Sequence, residues 1–133
     1  MSEKKHQLLK ITLALFAIIT LGYGIIYLFF PQIQISAAGG EPIEPGWIRW
    51  FGGILIALGI GAFMVLRKPE KQGIFVTVSC VGAFLFSLAS FYEIAFVDFG
   101  DYSLLNTLIP AIVLTFLAIL LLVSLRQSKD ILW

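Results

Sequence analysis

The sequence predicts an all-α fold: four membrane-spanning helices wound up-down-up-down as a single domain over residues 1–133. Three observations carry that reading. Hydrophobic residues make up 59% of the chain and charged residues 13%, more apolar matter than a soluble domain of 133 residues can hide. The apolar residues fall into four runs, 8–30, 47–66, 73–97 and 104–125. At 1.5 Å per residue each run is long enough to cross a hydrocarbon core of about 30 Å. The charges, finally, collect in the short segments that flank the runs.

The first run follows a short basic start, MSEKKHQ, and contains Lys10, whose stem can carry its charge back to the membrane surface. A basic start, an apolar run and the small residues Ser36, Ala37 and Ala38 also outline a secretory signal. The run is too long for that, and residues 31–34 separate it from the small residues, so it is expected to remain as the first helix. Pro31 ends it. Residues 31–46 hold three of the five prolines together with Gly39 and Gly40, a composition that favours an irregular cap on the membrane surface. Within it Ile33 and Ile35 alternate with Gln32 and Gln34, as in a short extended or interfacial piece. Trp47, Trp50 and Phe51 then open the second span as an aromatic belt at the boundary of lipid and water.

In the second span Arg49, Gly53, Ala57 and Gly61 follow one another at intervals of four, so one helix face carries a cation and then three residues with almost no side chain. Lipid is as apolar as any side chain, and helices in it associate by close backbone approach at small residues. This helix is therefore expected to be the packing hub. A charged turn with Pro69 leads to the third span, where Ser79, Ala83 and Ser87 form a second small row and Ser90 and Glu93 fall on about the same side. An acidic connection over residues 98–103 precedes the fourth span, in which Pro110 marks a kink or the first turn. The chain closes on a basic stretch whose Trp133 suits the membrane interface.

Eight of the nine cationic side chains fall on one side of this four-span arrangement, in residues 1–10, 67–71 and 126–129, and Arg49 alone falls on the other. The positive-inside rule then places both termini in the cytoplasm and the proline-rich segment outside.

Chemistry-bearing groups are few. Arg49 lies 18 positions from Arg67, and Glu93 lies 20 positions from Gly73. Each stands roughly 27 to 30 Å along its helix. At equal depth they are candidates for an ion pair between the second and third spans, or for contact with a ligand's headgroup, the alternative being that each reaches water separately. Thr20, Tyr23, Gly24 and Tyr27 share part of the first span's surface, and Thr107, Ala111, Thr115 and Ala118 part of the fourth's. Such residues either line a cavity or pack helices closely, and packing is the commoner use. Phe84, Phe86, Phe91, Phe96 and Phe99 can stack a ring, though such residues more often face lipid or fill a core. His6 is read as a solvated residue of the basic start, and Cys80 as a small packing residue. No set of Ser, His and acid, no clustered metal ligands, no phosphate loop and no basic stripe for nucleic acid can be assembled, so neither an enzyme nor a bound cofactor is expected.

The run RWFGGILIALGIGAFMVL, between a proline-rich segment and a basic turn with Pro69, resembles the small bacterial four-helix membrane proteins of the DoxX-like type. The resemblance implies a four-helix fold in a bacterial inner membrane and does not imply an activity. An acidic residue within the second helix, which some of those proteins carry, is missing here. The functional expectation is a non-enzymatic membrane protein, an accessory subunit of a membrane complex or a self-associating homo-oligomer packed through Gly53, Ala57, Gly61, Ser79, Ala83 and Ser87. Its partners are then the lipid bilayer and another membrane protein. The alternative is a bundle that binds a lipid, a quinone or another apolar molecule near Arg49 and Glu93.

Overall fold

The computed structural model describes residues 2–39, 46–98 and 103–133, and these are helical nearly throughout, without a strand. Helix α1 spans Ser2–Phe29 and stops because Pro31 disfavours a helical conformation at the residue before it; Phe30 sits at φ −130°, ψ 49°. Pro31 then takes the first turn of α2, Pro31–Ala37, where its missing N–H costs nothing. The segment expected to be irregular or extended is thus a short helix. Ile33 points outward and Ile35 is buried. Residues two apart lie about 200° apart on a helix, so alternation over so few residues fits either conformation.

The remaining helices are α3 (Gly46–Arg67), α4 (Gly73–Phe96), α5 (Leu104–Gln127) and a final single turn, α6 (Lys129–Leu132). Four helices, α1 from His6 together with α3, α4 and α5, are long and apolar enough to cross a membrane, and a third or less of each is buried inside the protein. Their outward faces carry Ile18, Met64, Leu88 and Phe116. Surfaces of that kind, over four helices of that length, suit lipid as the solvent. The chain is a multi-pass membrane protein with a helical bundle fold.

Around the bundle the helices follow the order α3, α1, α5, α4, and α3 hardly touches α4 where the ring should close. Helices α1 and α3 are drawn together by glycine. A Cβ at Gly52 would stand 2.6 Å from the Leu28 backbone nitrogen and 2.9 Å from the Gly24 carbonyl oxygen. One at Gly59 would meet the Leu21 side chain at 2.5 Å. The buried stripe of α3 therefore runs through Ile48, Gly52, Gly59 and Ala62. This corrects the expected face at Gly53, which has open space where its side chain would be, and at Ala57, which is exposed, while Gly61 does meet another helix, at the Phe75 ring of α4. On α4 the buried residues Val76, Cys80, Ala83, Ser87 and Ser90 recur at intervals of four and three, the spacing of a helix-packing seam, and α5 is the neighbour they meet. The Cys80 thiol donates to the Ala118 carbonyl oxygen at 3.5 Å.

The end of the bundle that holds both termini is solid. Leu9, Leu13, Phe16, Val65, Val76, Leu117 and Leu121 form one core with Leu132 of α6. Ser124 donates to Thr12 at 3.2 Å within it. His6 is not solvated as expected: it is half-buried, 3.2 Å from the Ser128 hydroxyl and 3.8 Å from Asp130. Helix α6 also accepts a hydrogen bond from the Lys71 N–H through the Ile131 carbonyl, at 2.9 Å, which holds Lys71 at φ 59° in the turn between α3 and α4. The Trp133 indole lies over Gly73, where a Cβ would meet it at 2.5 Å.

Candidate functional site

The opposite half of the bundle is hollow. Small residues draw α1 to α3 and α4 to α5 as two tight pairs, and the large side chains that join the pairs there, Phe51 and Phe86, do not fill the space beneath them. A cavity of about 270 Å³ remains between them. Thr20, Tyr23 and Tyr27 of α1, Phe51, Leu55 and Leu58 of α3, Ser79, Gly82, Ala83 and Phe86 of α4, and Pro110 and Val113 of α5 contribute to its walls, which are almost wholly apolar. Dry apolar cavities of about 150 Å³ already hold benzene, so the space accommodates a molecule larger than one ring.

Its ceiling is aromatic. Tyr23 and Tyr27 meet edge to face at 5.8 Å, Tyr27 and Phe51 lie 5.9 Å apart, and Phe51 stacks on Phe86 at 5.5 Å with the rings 9° from parallel. The Phe51–Phe86 stack joins α3 to α4. Ten residues along α3 the two helices meet again, where Phe75 fills the space beside Gly61. These contacts are separated by about 15 Å of helix. Between them Val78 and Gly82 line the cavity and are exposed on the outer surface, so the site opens sideways, between helices, toward lipid.

The floor carries hydroxyl groups. Thr20 Oγ1 lies 2.9 Å from where a Gly59 side chain would begin, and the Gly61–Phe75 contact places Ser79 within a turn of that level on the opposite wall. Floor and ceiling are then seven residues apart on both α1 and α4, about 10 Å. The two hydroxyls differ. Thr20 Oγ1 donates to the Phe16 carbonyl of its own helix at 2.7 Å, as Thr115 does to Ala111. Ser79 Oγ is buried with no hydrogen-bond partner. A buried hydroxyl left so costs about 1 to 3 kcal/mol, and such a group calls for an explanation.

Of the residues singled out from the sequence, Ser79 and Ala83 line this cavity and Ser87 is buried without lining it, its own hydroxyl also lacking a partner. Tyr23, Tyr27 and Phe86 belong to it as well, whereas Phe84, Phe91 and Phe96 face outward and Phe99 lies outside the described residues. Arg49 and Glu93 are both exposed and do not line the cavity. Leu55, Leu58, Val78, Gly82 and Val113 were not anticipated. Apart from Gly82, nothing in their residue types separates a cavity wall from a core. The available signal was the coincidence of Ser79, Gly82 and Ala83 on one helix with Pro110 on its neighbour.

Fold and cavity together define a multi-pass helical membrane protein with an apolar chamber that opens within the span of the bilayer. No family profile, curated protein or solved structure matches the chain.

Proposed function

We propose that the protein binds an apolar small molecule taken up sideways from the bilayer, and that it does so as a non-enzymatic, DoxX-like protein of a bacterial inner membrane with both termini in the cytoplasm. The chamber carries the binding reading. It is lined by rings and aliphatic side chains, opens between α3 and α4, and has few groups to hold water, which needs two to four polar partners. The cationic bias of the end that holds the termini supports the orientation, and the run from Arg49 through the spaced glycines of α3 supports the family type.

Native mass spectrometry of the full chain after mild extraction tests the proposal. The expected result is a stoichiometric small mass that is lost in Ala83→Phe, which fills the chamber, and kept in Arg49→Ala, which lies outside it. Cysteine labelling of the turn at residues 68–72 tests the orientation. Reagent confined to the outside of an intact cell should not reach it.

A second reading is an accessory subunit or self-associating bundle. Gly53 and Ala57 favour it, because they leave a smooth strip on the outer face of α3 that no described residue covers closely. A co-purifying protein or a defined oligomer broken by Ala57→Phe would support this reading.

A further inference from the structure

We infer that the ligand is a flat lipophilic ring system carrying one hydrogen-bonding oxygen, seated with its ring under the Tyr27–Phe51–Phe86 ceiling and its oxygen on Ser79. The inference rests on the chamber being a binding site and adds the class of molecule and its direction. Three observations converge on that class.

The ceiling is a set of rings 5.5 to 5.9 Å apart, and the pair that bridges α3 and α4 is nearly parallel. A flat ring extends such an array at offset-stacking distance, which a flexible chain cannot do. The chamber measures about 270 Å³, and its floor and ceiling are about 10 Å apart, suited to one or two fused rings rather than a full-length acyl chain. The polar feature is local. Thr20 spends its hydroxyl on its own backbone, while Ser79, 4% exposed and part of the wall, has a hydroxyl with no partner in the bundle. That oxygen is covered as the side chain stands, and a turn about its Cα–Cβ bond brings it to the chamber wall, where a single oxygen on the ligand, set seven residues below the ring ceiling, satisfies it. A second polar group would have to be buried against apolar walls without a partner.

Three probes separate the alternatives: 2-naphthol, 2-methylnaphthalene, which has nearly the same shape without the oxygen, and 1-decanol, which has the oxygen without the ring. Binding to the full-length protein in mild detergent is measured by equilibrium dialysis against protein-free micelles. The expected order is 2-naphthol tightest at one per chain, with 2-methylnaphthalene about 5-fold weaker for want of one hydrogen bond. In Ser79→Ala the two aromatic probes should bind alike, with 2-methylnaphthalene unchanged from the parent. Equal affinities in the parent, an equal loss of both probes in Ser79→Ala, or tighter binding of 1-decanol would each overturn the assignment of ligand class while leaving the chamber a binding site. Failure of all three probes to bind above the micelle control, with no difference in Ala83→Phe or in the milder Gly82→Phe, would remove the binding site itself.

Discussion

The two ends of the bundle are built from the same four helices and differ in what fills them. At the end with the termini, Leu9, Leu13, Leu117 and Leu121 are fully or almost fully buried and Leu132 closes the base. At the other end Pro31, Ile35 and Ile48 are buried near the rim, and the buried positions along the facing helices include the small residues Gly24, Gly52, Ala83, Ser87, Ser90 and Ala111. Small residues bring two helices close, but they cannot fill the space between two such pairs. The result is one end packed on all sides and one end packed in pairs, with a chamber between them. Within lipid this arrangement is tolerable, because the hydrophobic effect exacts no penalty for an apolar wall facing an apolar solvent.

Substitutions that exchange the characters of the two halves probe the contrast, beginning with the glycine contact that holds α1 to α3. Gly52→Leu forces a side chain into the α1 backbone and should cost about 3 kcal/mol, near the top of the range for overpacking. Gly53→Leu, one position along, should be nearly neutral because nothing stands within 4 Å. Thermal unfolding in detergent compares them, and equal losses would mean that α3 packs on a different face. Next in size, Leu121→Ala empties the solid core and should cost about 2 to 3 kcal/mol, the low part of the range for such truncations. Leu55→Ala only widens a space that already exists, and should cost clearly less in the same assay. Smaller again is the Thr12–Ser124 hydrogen bond. A double-mutant cycle with Thr12→Val and Ser124→Ala should return about 0.6 kcal/mol, the average found between membrane helices. The smallest expected effect is that of Ser79→Ala on stability. Removing a buried hydroxyl that has no partner should leave the melting point unchanged or slightly raised.

The architecture was legible because hydropathy over some twenty residues is a sum, insensitive to any one position. The four expected runs and the observed spans differ by no more than a few residues at their ends. Helix faces were harder. Residues 52 and 53 are both glycine, and neighbouring positions on a helix point about 100° apart, so the sequence offered two small stripes for α3. Gly24 on α1 selects Gly52, a choice that only the placement of a second helix can make. The final turn was missed for a similar reason: nothing local says that Leu132 and Ser128 will be buried, or that Ile131 will hold the backbone of Lys71. A cavity is harder still, since it is the space left by residues that each look like ordinary packing.

Diffraction from crystals of the full chain pressurised with xenon tests the contrast between the ends most directly, because xenon settles in dry apolar space. The account predicts an anomalous peak bounded by Leu55, Gly82 and Val113, and none among Leu13, Val76 and Leu121. Xenon sites in both halves, or a loop end zipped shut along α3 and α4 with no xenon in it, would contradict it.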